Sequence, residues 1–499
     1  MIAFVKKNPL FVAILLISAF FRLFRISSYM EFLGDQGRDL VIVRDFLKNG
    51  NLFFIGPQTS IGNMYLGPYY YYLIAPALLL ANFNPVGPAI FVALLSVLTT
   101  ALIYFVAKKW FDTKSALVAS LLFAISPVVI KYSSFSWNPN IMPIFSLLFV
   151  YFLVQAVFFK KYKHLIYASL SFIMILNSHY LGLLLIPLAG LYWFFHYLSL
   201  KKDPKNKKKF LRYTLYAILI FLASLLPQLL FDIKHQGQNI KALIEFFTVR
   251  QTTVNLKAYK ALPQLFPLFS QVISRLLSGK NPTYGLYFGL ILIFGFLVYL
   301  NRLFKTKNKQ SNPYLNLLIA WLLIGLLGLG LYKQHIYDHY FAFLFPPVFI
   351  LTGVFLSSLF SSKFKFLAPP FFIFLLYASL SQNPFLYPPN RQLQTVNAIT
   401  DSIIEKSTAQ DFNLALLAKQ NYDPPYRYFF YQKQSPLYTL DQKITSQLFV
   451  ICEPHPDIDC YPINHPEWGI AAFGWAKIDS QWQINGITVY RLIPNPEGT

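Results

Sequence analysis

Tyr69-Tyr70-Tyr71-Tyr72-Leu73-Ile74-Ala75-Pro76-Ala77-Leu78-Leu79-Leu80-Ala81 is apolar but short for a membrane crossing, and its reading sets the topology of everything after it. Either it crosses, or it lies in the outer interface as a juxtamembrane helix headed by its tyrosines. Loop charge separates the two. With the run lying flat, the next span is 88–107, and the basic loops at 108–114, 160–164, 201–209, 302–309 and 361–365 all face the cytoplasm. With the run crossing, every one of those loops faces outward. The excess of Lys and Arg expected on the inside therefore favours the flat placement, with an amino terminus carrying Lys6 and Lys7 in the cytoplasm.

The composition agrees with a polytopic membrane protein. Of 499 residues, 56% are hydrophobic and only 13% charged, against about 25% charged in soluble domains. The apolar residues come in blocks of about 20 rather than in amphipathic patterns. They give spans at 9–24, 88–107, 115–132, 141–159, 165–178, 181–200, 210–231, 283–303, 313–332, 341–360 and 366–382, about 11 crossings. No small-residue cleavage site follows the first, so it reads as a retained span. The net charge of +23 sits in the short loops between blocks, which points to membrane lipids rather than nucleic acid as its partner. The expected location is the plasma membrane.

After Gln382 the character changes. Eleven of the 20 acidic residues lie beyond it, 395–406 reads as a helix, and 486–490 alternates like a strand. The predicted architecture is mainly α: a membrane helical bundle over 1–382, with outer juxtamembrane helices, and a small α/β or α+β domain over 383–499, extracytoplasmic by span count. Cys452 and Cys460, the only cysteines, fall in that domain. An outside location permits a disulfide, and two free thiols fit the sequence equally well.

Only nine acidic residues precede Gln382, and four of them lie between Glu31 and Asp45, just past the first span. At their centre is Gly34-Asp35-Gln36-Gly37-Arg38-Asp39. Asp35, Arg38 and Asp39 stand at i, i+3 and i+4, one face of a helix, while Val41, Ile42, Phe46 and Leu47 offer an apolar surface for a membrane. A guanidinium neighbour favours an ionised carboxylate, which suits a base for an acceptor hydroxyl, and arginine suits phosphate. Residue types alone equally allow Asp35 to cap a helix and Arg38 to anchor head groups.

The order of parts carries more. A span, an outer Asp on a juxtamembrane helix, the pieces Gly56-Pro57-Gln58-Thr59-Ser60 and Tyr65-Leu66-Gly67-Pro68, and then a many-span bundle resemble the GT-C glycosyltransferases. The resemblance is to the protein O-mannosyltransferase and aminoarabinose-transferase-like branch (family 39, RgtA/B/C/D-like). It covers about residues 1–360 and is strongest over 24–76 and at Ser136-Trp137-Asn138-Pro139-Asn140. It implies an enzyme that takes a hexose or pentose from a polyprenyl-phosphate-linked donor on the outer face. The acceptor would be a hydroxyl of a lipid, a glycan or a protein. By resemblance the catalytic role falls on Asp35, with Asp39 as the alternative.

Substrate-binding candidates are Arg38, Asp39, Gln36, Tyr65, Asn138, His179, His335, His339 and Tyr340. The histidines, together with Lys131 and Lys333, sit at outer span ends where a leaving phosphate needs cationic or hydrogen-bonding partners. Asn138 and Trp137 suit contact with sugar, although Asn138-Pro139 also makes a turn and Trp137 also fits an interfacial belt. The 232–282 segment, with Lys234, His235, Lys241, Arg250 and Lys257, reads as an outer loop that covers the donor site or binds anionic head groups.

No metal cofactor is expected. The related oligosaccharyltransferases bind a divalent cation with acids of the second outer loop, whereas 133–140 here contains none. His335, Asp338 and His339 have zinc-ligand chemistry in an aromatic, loop-like setting unlike a defined zinc site. The alternative function is a transporter or flippase of lipid-linked saccharides. That needs polar groups at membrane depth, and this chain keeps its polar residues at the outer span ends.

Overall fold

Apolar blocks with no water to satisfy their backbone fold as helices, and every expected span contains one. In chain order they are Pro9–Leu23, Val86–Trp110, Thr113–Ile125 with Pro127–Tyr132, Met142–Val157, His164–Ser178, Ile186–Ser199, Pro204–Ser224 with Leu226–Lys234, Pro282–Lys305, Pro313–Leu329, Phe345–Phe360 and Ala368–Leu380. Many open on proline, whose missing N–H is no loss in a first helical turn. The computed structural model describes residues 7–59, 64–248, 254–255, 257–305, 312–419 and 421–495; Lys6, Ser60, Arg250 and the basic stretch 306–309 lie outside them. Among the described residues, five helices are long and apolar enough to cross a membrane alone. A sixth span results if Tyr259–Leu277 and Pro282–Val298, bent by 109°, count as one. The flat candidate is the helix Tyr69–Leu80, about 18 Å long at 1.5 Å per residue.

The 232–282 segment is not the open loop expected. It contains Gln238–Thr248 and Leu265–Leu277, the second burying Leu268, Val272, Ile273, Leu276 and Leu277 along one side. Such short amphipathic helices escape a 20-residue hydropathy criterion because their polar face dilutes the window.

The chain divides into two compact units, the first made of Met1–Phe24, Leu52–Leu73 and Ala89–Pro388. Within it Arg22 is 1% exposed. Its guanidinium donates to Ser96 Oγ at 2.7 Å and to the carbonyls of Ser18, Phe123 and Ala124 at 3.1, 3.2 and 2.9 Å. Pro127 has no N–H to return to the Phe123 carbonyl one turn back, and Arg22 supplies that missing donor.

The second unit combines Arg25–Asn51, Ile74–Pro88 and Pro389–Thr499. Its sheet has strands β1 (Asn413–Leu417), β2 (Leu448–Cys452), β3 (Ala476–Ile484) and β4 (Ile487–Pro494) in the order β1-β2-β4-β3. β1 and β2 run parallel, joined through the helix Pro424–Gln432, and β4 is antiparallel to β2 and β3. β2 is buried throughout, as its Leu-Phe-Val-Ile-Cys run demands, while β3 alternates between half-buried and exposed positions. Asn485-Gly486, both at positive φ, make the two-residue turn into β4. Cys452 and Cys460 form a disulfide. The molecule is thus a membrane helical bundle with a small C-terminal sheet domain.

Candidate functional site

The acidic stretch lies on the helix Gly34–Asn49 of the second unit. Its N-terminus is closed locally: Leu33 N–H, otherwise without an intrahelical acceptor, donates to Gln36 Oε1 at 2.9 Å. Gln36 therefore serves the helix end and is buried. Asp35 occupies the first turn rather than the cap, where its charge still complements the helix dipole.

Arg38 ties the two carboxylates together. Its Nη1 donates to Asp35 Oδ1 at 2.9 Å, and its Nε and Nη2 donate to Asp39 Oδ1 at 3.0 and 2.8 Å. Exposure distinguishes the pair: the Asp39 side chain is 2% exposed and that of Asp35 33%. A buried carboxylate clamped by arginine is a support, whereas a part-exposed one beside it can meet substrate.

A second layer comes from the segment entering the helix Pro424–Gln432. Tyr422 Oη donates to the same Asp35 Oδ1. Asn421 Oδ1 accepts from Gly34 N at 2.8 Å, and its amide donates to Glu453 Oε1 at 2.7 Å, which also accepts from Tyr426 Oη at 2.9 Å. Two glycines admit this segment: a Cβ on Gly34 would overlap the Tyr422 ring, and one on Gly37 the backbone of Pro424 and Pro425. Burial pushes the Tyr422 hydroxyl well above its ordinary range, and the Asp35 carboxylate it bonds adds to this, with Arg38 opposing. Burial and Glu453 do the same at Tyr426. Both phenols stay neutral donors at physiological pH. Among the described residues, Asp35 Oδ2 receives no protein hydrogen bond, which leaves one oxygen free to accept a proton.

The other candidates belong to the first unit. Tyr65 lies in a loop closed by Gly56 N–H to Leu66 O at 2.8 Å and Leu66 N–H to Pro57 O at 3.0 Å. Its own N–H donates to Asn239 Oδ1 at 2.7 Å, and its carbonyl accepts from Tyr180 Oη at 2.7 Å. Asn138 is buried and donates to Ser178 O at 2.7 Å, tying the 133–140 loop to the end of the helix His164–Ser178. His179 Nδ1 accepts from Leu181 N at 3.1 Å.

Three aromatic candidates do converge. The His339 ring lies 4.5 Å from Trp137, 4.6 Å from Tyr340 and 6.0 Å from His179, and His179 lies 4.9 Å from Tyr340. His335 is exposed and packs edge-on to Tyr337 at 4.6 Å. Asp338 is buried and joined to Arg275 at 2.5 Å, which engages the carboxylate that the zinc reading would have needed. Among the described residues, no three His, Cys, Asp or Glu side chains gather as a metal set.

Sequence reasoning missed Tyr422, Asn421, Glu453 and Arg275. Asn421 and Tyr422 directly precede Asp423-Pro424-Pro425, a stretch with no helical or strand period, and Arg275 lies in the 232–282 segment read as a loop.

Residues 66–231 match the dolichyl-phosphate-mannose-protein mannosyltransferase family. Among solved structures, the fold is similar to ArnT from Cupriavidus metallidurans bound to undecaprenyl phosphate, with a TM-score of 0.59 and 13% identity over 98% of both chains. It is also similar to the archaeal oligosaccharyltransferase AglB from Archaeoglobus fulgidus in complex with an inhibitory peptide and a dolichol-phosphate, with a TM-score of 0.52 and 13% identity over 85% of this chain. This chain spans 64% of the length of that oligosaccharyltransferase. No curated protein matches significantly. The family match covers about a third of the chain, and the likeness to both structures shows a shared fold.

Proposed function

We propose that the chain is a glycosyltransferase of the plasma membrane that moves a sugar from a polyprenyl-phosphate-linked donor to an acceptor hydroxyl on the outer face. The observation that carries this reading is the Asp35 carboxylate: part exposed, with Oδ1 held by Arg38 and Tyr422 and Oδ2 open. The family match over 66–231 and the lipid phosphates bound to both similar proteins support a lipid-linked donor.

In this mechanism Asp35 Oδ2 takes the acceptor's proton as the acceptor oxygen attacks the anomeric carbon. The bond from that carbon to the phosphate oxygen breaks, its electron pair leaves with the polyprenyl phosphate, and the anomeric configuration inverts. Arg38 and Tyr422 fix the carboxylate, and Asp39 fixes Arg38.

Purified protein given a lipid-linked sugar and an acceptor should release polyprenyl phosphate. Asp35→Asn should lower that rate by about 10²- to 10⁴-fold, the usual contribution of a general base. Full activity in Asp35→Asn with Asp39→Asn inactive would move the base to Asp39. Movement of the saccharide into liposomes with no bond broken would favour a flippase instead.

A further inference from the structure

The second unit contains a cavity of about 490 Å³ whose wall includes Asn84, Gln394, Asn397, Phe429, Gln432 and Lys433, a size typical of small-ligand sites. Three of its four amides are bonded to the backbone at one end only, and the fourth is engaged at both. Gln394 Nε2 donates to Ser27 O at 3.0 Å and Gln432 Nε2 to Phe83 O at 3.4 Å. Asn84 Oδ1 accepts from Val86 N at 3.0 Å, and Asn397 is held between Lys433 and Asp401. Among the described residues the protein leaves unused two acceptors, Gln394 Oε1 and Gln432 Oε1, and one donor pair, Asn84 Nδ2. Lys433, the one cation in this wall, is ion-paired with Asp401 and sits 5.4 Å from the Phe429 ring centre. The wall is therefore electrically balanced, with uncharged donors and acceptors beside one aromatic ring, Phe429.

Hydroxyl groups, which donate and accept at once, are what such a wall matches, and an anion would find no unpaired cation. Position adds the rest. The helix Pro424–Gln432 presses Pro425 against Gly37 near its start and carries Gln432 at its end. The cavity thus lies about 13 Å along that nine-residue helix from the Asp35 end, at 1.5 Å per residue.

We propose that this cavity is a binding site for a neutral saccharide chain, the acceptor of the transfer. The acceptor assignment rests on the transferase reading, whereas saccharide binding is tested apart from it.

The test is saturation-transfer NMR on the full chain in nanodiscs, with mannotriose, maltotriose and chitotriose as probes and mannose as the single-sugar comparison. At least one trisaccharide should bind more tightly than mannose. Gln432→Leu and Gln394→Leu, on separate helices, should each weaken it about tenfold, the value of one lost hydrogen bond. Asn84→Leu replaces either variant that fails to fold. In transfer assays the same variants should raise the acceptor KM about tenfold while leaving kcat unchanged. No transfer of saturation to any trisaccharide, or equal transfer in wild type and variants, would overturn the site. Binding lost in the variants of a protein that never releases polyprenyl phosphate would uphold the saccharide site and overturn the transferase reading alone.

Discussion

Asp35 shares one oxygen between Arg38 and Tyr422, so its orientation depends on a phenol as well as on a guanidinium. Removing that phenol leaves the carboxylate chemistry intact and loosens its aim. Tyr422→Phe should therefore lower the turnover rate about tenfold, the cost of one hydrogen bond to a charged group. The sign of the pH effect follows from the direction at Tyr422, whose ionisation is pushed upward by burial and then by Asp35. A raised tyrosine pKa keeps the donor present below its unfolded value of about 10 and loses it only as pH rises through the folded value. The ratio of wild type to Tyr422→Phe should then stay constant from pH 6 to 9 in steady-state assays. A ratio that collapses toward one by pH 9 would mean that Tyr422 ionises early and is not the donor described. The sequence displayed Asp35, Arg38 and Asp39 because their relation is local, set by one helical turn. Tyr422 bonds Asp35 across 387 residues, and no periodicity reports a contact of that kind.

Helices and strands extend the same dependence. The end of β2 at Cys452 hands on to Glu453, which holds Asn421 and Tyr426, and Asn421 holds the first N–H of the helix Gly34–Asn49. Glu453→Ala would leave the buried Tyr426 hydroxyl without its acceptor, at about 1–3 kcal/mol. Denaturant unfolding of the full chain should show that loss, and Glu453→Gln, which keeps an acceptor, should recover most of it. Equal stability of the two variants would sink the chain of bonds. Gly37→Ala tests the packing from the other side. Its Cβ meets backbone rather than a flexible side chain, so a loss of about 1–3 kcal/mol is expected from overpacking, read as a lowered melting temperature. An unchanged melting temperature would mean that the two helices approach less closely than described. At this scale the sequence was informative wherever one period dominated: the apolar blocks, the helix from Gln392 and the Ile487–Pro494 strand all appear. Leu265–Leu277 did not, because its buried side alternates with polar residues over only 13 positions. Arg22 was equally silent, since its role answers a proline about 100 residues away.

Orientation in the membrane is the property on which a reaction on the outer face depends, and loop charge argues for it. The flat placement of 69–81 puts Lys108, Lys109, Lys160, Lys161 and the 201–209 cluster inside together. Each basic residue near the surface favours the anionic cytoplasmic leaflet by about 1 kcal/mol, so the reversed placement is opposed by many such contributions at once. The helix Tyr69–Leu80 has 12 residues, short of the roughly 20 that a crossing needs. Length alone does not decide, because the first helix, Pro9–Leu23, has only 15. Charge does, and it can be tested in the native background, because Cys452 and Cys460 are joined to each other and leave no free thiol. Single cysteines at positions 114 and 206 should resist a membrane-impermeant thiol reagent in intact cells and react once the cells are opened. Cysteines at 58 and 434 should react in intact cells. If position 206 labels from outside while 58 does not, the whole bundle is inverted, the Gly34–Asn49 helix faces the cytoplasm, and the outer-face transfer proposed for Asp35 falls with it; labelling of both positions from outside would mean instead that the 69–81 helix crosses.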